Sequence, residues 1–225
     1  MDLVQPSPSL LSRQKLERRQ AVLNAAKNLI KMNGYEQTTM EGLARHAGLS
    51  TQTVYNYFGT KLDVLMELYV EDRDIAYDKI VALAGDGPSD PVELLLAIMS
   101  ADMHREVDAV SHALWRQVAS AEATHCDGKH HDTFCRMNDR YREVILRVMT
   151  KLRKQGVFAA GLDVQAAADL FLHVNEGFYR KVIATADTPF TGFRAQARKQ
   201  LKLLVAAFRE PGAAEKSRRG SKGGG

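Results

Sequence analysis

The placement of proline is the feature that most constrains how this chain can fold. Among 225 residues there are six prolines, and none lies between Val92 and Thr188. Proline inside a helix costs about 3 kcal/mol, so this long stretch can be occupied by long helices. Apolar residues recur in it at helical spacing, as in Phe134, Met137 and Tyr141. Because no segment shows convincing strand character, the sequence predicts an all-α fold.

Capping residues divide the chain into separate helices. Gly34 follows an apolar stripe at a position suited to a left-handed helix end. Asp90, Pro91 and Glu93 together supply a helix cap, a proline at the first helical position and a capping-box acid. Gly156 is expected to end the longest clean apolar stripe.

Composition excludes several classes of protein. Hydrophobic residues make up 45% of the chain and charged residues 26%, which is typical of an ordered globular protein. The two cysteines, Cys126 and Cys135, are too few for a secreted disulfide framework, so the expected location is the cytoplasm. The longest strongly apolar run, residues 94–99, is far shorter than the roughly 20 residues that a membrane span needs. No membrane association is expected.

Charge varies along the chain and supports a division into regions. Residues 1–61 contain eight basic and four acidic residues, whereas residues 62–208 contain 18 basic and 21 acidic residues. A basic first quarter favours contact with a polyanion. The regions predicted are a disordered arm at 1–12, a basic region at 13–61, a helical region at 62–209, and a disordered basic tail at 210–225.

Residues 38–61 differ in kind from the rest of the chain, because short helical pieces follow one another with caps between them. Thr38 and Glu41 are spaced as a capping box that opens a helix of about two turns. Gly48 permits a tight turn, and Ser50 is expected to cap a second short helix. Two short helices joined in this way are typical of a helix-turn-helix.

The second short helix has one apolar face and one polar face. Val54 and Phe58 would be buried, which leaves hydroxyl, amide and phenol groups for the DNA major groove. Glutamine and asparagine can pair with adenine edges, threonine methyls can meet thymine methyls, and tyrosine hydroxyls can reach phosphates. Lys61, at the start of the next helix, is placed to neutralise a phosphate. Judged by periodicity alone, an ordinary helical hairpin remains an alternative.

At these residues the sequence resembles the TetR family of transcriptional regulators. The resemblance runs from about Arg18 to Leu68, and its most specific positions are Gly34, Tyr35, Thr38, Thr39, Leu43, Ala44, Ala47, Gly48, Leu49, Ser50, Thr53, Tyr55, Tyr57, Phe58 and Lys61. It departs from the family pattern at Gly42, inside the first short helix, and at Leu62 and Asp63. The resemblance implies phosphate contacts from Thr39 and Lys61. The full expected DNA-binding set is Thr39, Ser50, Thr51, Gln52, Thr53, Tyr55, Asn56, Tyr57 and Lys61.

The resemblance implies that residues 13–61 form a helix-turn-helix DNA-binding domain and that residues 62–209 form a helical effector-binding and dimerisation domain. It also implies a homodimer, formed by the last two helices at about 163–186 and 190–209. A two-fold dimer reading a pseudo-palindromic double-stranded operator agrees with this expectation. The interface residues expected are Val174, Gly177, Val182, Leu201, Leu204 and Phe208. Burial of both helices against their own core is the alternative.

A small-molecule effector is implied in the central helices, where its binding would release a repressor from its operator. Methionine and aromatic side chains suit an adaptable apolar cavity, although they suit a plain core equally well. The candidate lining residues are Met99, Met103, Trp115, Phe134, Met137, Tyr141, Phe171 and Phe178. Their types do not identify the effector.

Histidines and cysteines cluster in two places, which raises the hypothesis of a metal-responsive or redox-responsive regulator. One cluster contains His125, Cys126, His130, His131 and Cys135, and the other contains His104, Asp108 and His112. Sulfur together with imidazole suits zinc or copper. No spacing among them is a recognised ligand motif, and a polar loop is the alternative. No cofactor is therefore predicted, and His125, Cys126, His131 and Cys135 remain metal candidates.

An all-helical enzyme is the competing functional class. A ferritin-like di-iron site would need two Glu-x-x-His pairs, and only Glu122 with His125 occurs. Neither a glycine-rich phosphate loop nor a nucleophile motif is present. His173, one turn after Asp169, is interpreted as a paired core or interface histidine. The sequence thus predicts a non-enzymatic DNA-binding regulator, most simply a repressor.

Overall fold

The computed structural model describes residues 10–103, 115–121, 128–185 and 190–209. These residues form helices and connecting turns with no strand among them, so the predicted all-α class is confirmed. The helices are α1 Leu10–Gln37, α2 Met40–Ala47, α3 Thr51–Phe58, α4 Lys61–Asp86, α5 Pro91–Met103, α6 as described over 115–121, α7 Gly128–Lys154, α8 Val164–Ala184 and α9 Phe190–Ala207.

The described residues form two compact units that divide within α4. Unit 1 contains α1, α2, α3, α4 up to Asp72, and α6; unit 2 contains α4 from Arg73 onward, α5, α7, α8 and α9. The sequence placed its boundary after residue 61, at the start of α4. Helix α1 begins at Leu10, so residues 10–12, expected in the arm, are helical. The rest of the arm and the tail from 210 lie outside the described residues.

The core of unit 1 is built on α1. Helix α2 packs against both α1 and α3. The predicted apolar stripe of α1 is confirmed, because its buried residues are Val22, Leu23, Ala25, Ala26, Leu29 and Ile30. Gly34 interrupts the helix with φ 80° and ψ 165°, a conformation that only glycine adopts readily, and a last turn then runs to Gln37.

The core of unit 2 brings helices together from distant parts of the chain. Helix α5 packs against α9, α7 against α8, and α8 against α9. At the start of α5 the Asp90 carboxylate accepts the Glu93 backbone N–H at 2.9 Å, as the predicted cap requires. The reciprocal bond of the predicted capping box, from the Asp90 backbone N–H to the Glu93 carboxylate, is wrong. That carboxylate instead accepts hydrogen bonds from Arg198 of α9 at 2.7 and 2.9 Å.

None of the helices within the described ranges combines the length and the apolar character that crossing a membrane would require.

Candidate nucleic-acid interface

Helix α2 is capped by the second of two adjacent threonines. The Thr39 hydroxyl accepts the Gly42 backbone N–H at 3.0 Å and caps the helix. Thr38, predicted to be the cap, is instead buried, and its hydroxyl donates to the Gly34 carbonyl at 2.9 Å. The Thr38–Glu41 capping box is therefore wrong, because Thr38 satisfies the carbonyl left open where α1 breaks.

The turn between α2 and α3 has the predicted geometry. Gly48 adopts φ 67° and ψ 32°, the left-handed conformation that closes a helix end. The Ser50 hydroxyl accepts the Thr53 backbone N–H at 3.2 Å and so caps α3, as predicted. Two fixed ends set the direction of α3 relative to α2 within this unit.

Helix α3 has one buried face and one exposed face. Val54 and Phe58 are 0% and 4% exposed, which confirms the predicted anchoring face. Gln52, Tyr55 and Asn56 are exposed, and the remaining polar positions, Thr51, Thr53 and Tyr57, are half-buried. The polar side chains of α3 are thus held on the outside of unit 1 by an apolar anchor.

The exposed face of α3 contains a hydrogen bond between two amide side chains. Gln52 Nε2 donates to Asn56 Oδ1 at 3.0 Å, one helical turn away. Near the start of the helix, the hydroxyls of Ser50 and Thr53 lie 2.7 Å apart. These contacts restrict side-chain rotation, so groups that suit base edges are partly ordered in advance.

The start of α4 closes the motif with a reciprocal capping box. The Asp63 carboxylate accepts the Thr60 backbone N–H at 3.0 Å, and the Thr60 hydroxyl accepts the Asp63 backbone N–H at 3.1 Å. The next side chain, Lys61, donates to the carbonyls of Tyr35 and Glu36 at 3.1 and 3.3 Å. Lys61 therefore joins the start of α4 to the end of α1, a role that the sequence did not indicate.

Exposed basic side chains near the motif were missed by the sequence analysis. Arg45 is exposed in the last turn of α2, and Arg13, Lys15 and Arg18 are exposed on the first turns of α1. The excess of basic residues in the first quarter of the chain was the signal for them. That signal identifies a region and does not single out individual residues.

Comparison with known proteins assigns this motif to a family. Residues 22–68 match the profile of the bacterial regulatory proteins of the tetR family. The matched segment contains α2 and α3 together with parts of α1 and α4. This segment is accordingly similar to the helix-turn-helix of bacterial transcriptional regulators.

One curated relative is the HTH-type transcriptional regulator HbdR of Aromatoleum sp. (strain CIB). It is 32% identical over 107 residues, which cover 48% of this chain and 40% of that regulator. The chain thus matches less than half the length of this relative.

Solved structures resemble the fold over most of the chain. FadR from Bacillus subtilis, in complex with stearoyl-CoA, has a TM-score of 0.64 at 21% identity, with 83% of this chain and 97% of that chain covered. A putative transcriptional regulator from Saccharomonospora viridis, in complex with choline, has a TM-score of 0.65 at 22% identity, with 85% and 96% covered. At these identities the likeness shows the TetR fold alone.

The predicted effector-contacting residues are distributed over both units. Trp115 is in unit 1, where its ring contacts Tyr69 edge-on with the centroids 5.3 Å apart. Met137 and Tyr141 line a small cleft between α4 and α7 in unit 2. The others are buried side chains of unit 2, namely Met99, Met103, Phe134, Phe171 and Phe178.

The predicted dimer residues divide between the core and the surface. Val182, Leu201, Leu204 and Phe208 are buried in the core of unit 2. Val174 is half-buried and Gly177 is exposed. Two apolar side chains that the sequence analysis did not select are more exposed, Leu170 on α8 at 47% and Leu203 on α9 at 74%.

Only part of the histidine and cysteine clusters falls within the described residues. His131 and Cys135 are exposed on α7, with Sγ and Nε2 3.4 Å apart. Within the described ranges, no three His, Cys, Asp or Glu side chains are grouped as a metal site would need. The remaining members that the sequence singled out, His104, Asp108, His112, Glu122, His125 and Cys126, lie outside those ranges.

Proposed function

We propose that this chain is a repressor that binds operator DNA as a homodimer and dissociates from it when a small molecule binds in unit 2. The observation that carries the proposal is the outward polar face of α3. It lies in the segment that matches the TetR profile, between two capped ends, with Val54 and Phe58 as its anchor.

Base recognition is assigned to the exposed side chains of α3. The amides of Gln52 and Asn56 have the donor and acceptor pair that an adenine edge requires, and the Tyr55 hydroxyl can reach a phosphate. We assign contacts with the phosphate backbone of the DNA to Thr39, at the N-terminus of α2, and to the exposed Arg45. Phosphate contacts position the protein and base contacts give specificity.

The dimer surface is assigned to the exposed apolar side chains of α8 and α9. A two-fold pair of reading heads binds a pseudo-palindrome more tightly than one head alone. Leu170 and Leu203 supply apolar surface that faces solvent in the single chain, with Val174 and Gly177 on the same helix as Leu170. Leu201, Leu204 and Phe208 are buried in the core of unit 2 and anchor α9 there.

A charge on that surface provides the test of dimerisation. Leu203→Lys should shift the sedimentation coefficient from dimer toward monomer, because a buried unpaired charge is costly. Leu16→Lys, at an exposed leucine of α1, is the matched control and should leave the dimer intact. A dimer unaffected by Leu203→Lys would remove α9 from the interface.

The small-molecule part of the proposal takes its support from solved relatives. The FadR structure contains stearoyl-CoA and the Saccharomonospora regulator contains choline. Since these two ligands share little chemistry, the effector class of this chain must be argued from its own residues.

Operator binding is tested by selecting bound fragments from a random DNA pool and measuring affinity by fluorescence anisotropy. Gln52→Ala and Asn56→Ala should each lose about 1 to 3 kcal/mol of discrimination at the bases they contact. Gln155→Ala, at an exposed glutamine after α7, is the matched control and should bind as wild type. Enrichment of no common sequence, or equal affinity of all variants, would refute the proposal.

A further inference from the structure

The N-terminal part of α1 extends beyond the core of unit 1. Val22 is the first buried residue of this helix, and none of residues 10–21 is buried. At a rise of about 1.5 Å per residue, residues 10–21 form an overhang of about 18 Å. Leu11, near its start, is 79% exposed. Packing against the core therefore does not account for this part of the helix.

The buried stripe of α1 continues into the overhang as a basic stripe. Residues four or seven positions apart lie on the same face of a helix. Arg18 precedes Val22 by four residues and Lys15 precedes it by seven, so both lie on the face that is buried further along α1. Both side chains are exposed. This face thus changes from apolar to basic at the point where the core ends.

Arg19 shows where the overhang begins relative to the helix-turn-helix. Its guanidinium carbon lies 5.0 Å from the centroid of the ring of Phe58, the last residue of α3. It also forms an ion pair with Glu67 of α4. Lys15 lies one turn before Arg19 on the same side of α1. Lys15 therefore faces the space beside the C-terminal end of α3.

Charge and length indicate the kind of partner that fits this face. The overhang contains four basic residues and one acidic residue, Glu17. Each strand of duplex DNA carries one phosphate per roughly 3.4 Å of helix axis, so about 18 Å corresponds to about five base pairs. A helix that lacks packing is marginal in water, and neutralisation of its charges by a polyanion stabilises it. The complementary partner is the backbone of a nucleic acid duplex.

We propose that Lys15 and Arg18 bind the phosphate backbone of duplex DNA beside the base pairs that α3 contacts, so that the overhang of α1 lengthens the DNA-binding surface. Contacts of this kind carry no sequence information, because the phosphates are the same in every sequence. As an extension of an operator site, the overhang rests on the proposed function. As a surface for the DNA backbone, it does not.

The test uses the full-length chain and two duplexes of equal length, the selected operator and an unrelated sequence. Fluorescence anisotropy at several salt concentrations gives the affinities. Lys15→Gln and Arg18→Gln should each reduce the magnitude of the slope of log affinity against log salt by about 0.9 per bound protomer. Each variant should weaken binding to both duplexes by the same factor, which leaves the preference for the operator unchanged. Both should fold, because glutamine forms helices about as well as lysine and arginine.

Arg13→Gln is the matched control. It removes the same charge from an exposed residue of the overhang, but Arg13 lies nine residues before Val22, about 180° around the helix from the buried stripe. It should leave the salt slope as in wild type. The inference is overturned if Arg13→Gln lowers the slope as much as Lys15→Gln, because net charge alone would then account for the effect. It is also overturned if Lys15→Gln and Arg18→Gln bind DNA as wild type does.

The inference and the proposed function fail in different ways. If neither duplex is preferred but Lys15→Gln and Arg18→Gln still weaken binding, recognition by α3 fails and the backbone surface stands. If Gln52→Ala loses discrimination while both overhang variants bind normally, recognition by α3 stands and the overhang has no role in DNA binding. A partner other than DNA on this face gives that second result. No binding of either duplex would overturn both.

Discussion

The ammonium of Lys61 lies 4.2 Å from the centroid of the Tyr35 ring and donates to the carbonyl of the same residue at 3.1 Å. One side chain thus joins the first residue of α4 to the end of α1, on either side of the helix-turn-helix. Lys61 was expected to contact a DNA phosphate, and in the structure it also connects α4 to α1. These two roles can be separated by experiment.

Replacement of Lys61 should affect both stability and DNA binding. Lys61→Met keeps the aliphatic stem but removes two hydrogen bonds and the cation over the ring. The free energy of unfolding should fall by about 1 kcal/mol. If the ammonium also contacts a phosphate, the slope of log affinity against log salt should fall in magnitude by about 0.9.

Tyr35→Leu is the matched control for Lys61, because it removes the ring and leaves both the cation and the backbone carbonyls. It should lower stability and leave the salt slope unchanged. Denaturant unfolding and anisotropy titrations at several salt concentrations measure the two effects. An unchanged slope in Lys61→Met would assign Lys61 a structural role alone.

The connection between α4 and α5 depends on the absence of a side chain at Gly87. A Cβ there would lie 2.3 Å from the Leu83 carbonyl oxygen and 2.5 Å from Leu94 Cδ1. Gly87→Ala should therefore lower the free energy of unfolding by about 1 to 3 kcal/mol, because neither backbone nor packed core can move aside freely. Denaturant unfolding monitored by circular dichroism measures the loss.

Gly85→Ala, two residues earlier, is the opposite case. A Cβ at Gly85 meets nothing within 4 Å, and the residue lies in helix α4. Alanine there should stabilise the protein by up to about 1 kcal/mol. Equal effects of the two substitutions would contradict the packing around Gly87.

Removal of Asp102 should be among the costliest single changes in unit 2. Asp102→Ala leaves the Arg73 guanidinium buried without its carboxylate, and breaking such a pair typically costs about 3 to 5 kcal/mol. The double variant Arg73→Met, Asp102→Leu removes both charges and should be more stable than Asp102→Ala. If the double variant is the less stable of the two, the pair is not held as the structure indicates.

High pH should destabilise the protein through Tyr141. Burial raises the pKa of this phenol above its ordinary value of 10.0 in the folded state. Its contribution to stability is therefore complete below that value and is lost as the pH rises toward the folded-state pKa. Tyr141→Phe should flatten the decline in stability between about pH 9 and pH 11, as measured by denaturant unfolding.

Part of the loss of stability at high pH should remain in Tyr141→Phe. Burial, and to a smaller extent the charge of Glu36, also raise the pKa of Tyr35. Absorbance at the tyrosinate band should show fewer late-titrating phenols in Tyr141→Phe than in wild type. An identical titration in both proteins would contradict the burial of Tyr141.

Features that depend on neighbours along the chain were predictable from the sequence. The buried face of α3 follows from the spacing of Val54 and Phe58, and the caps at Ser50 and Thr60 follow from residue type and position. Such signals act within one or two helical turns.

Features that depend on distant residues were not predictable in the same way. Thr39 rather than Thr38 caps α2 because Thr38 is bound to Gly34. The Glu93 carboxylate accepts a hydrogen bond from Arg198, 105 residues away, instead of capping its own helix. The apolar stripe of α9 signals burial, but its sequence does not distinguish the protein's own core from a partner. Asp102 and Asn175 lie in apolar helices and gave no signal before their pairing was seen.

The hydrogen bond between Gln52 and Asn56 has a consequence for how an operator can vary. Because the two amides are hydrogen-bonded to each other, rotating one side chain to suit a different base breaks this bond. The base preference of one amide therefore depends on the orientation of the other. The half-site positions beneath them should therefore change together among bound sequences, and the energetic effects of substituting the two residues should not add. On this helix the unit of recognition is the pair.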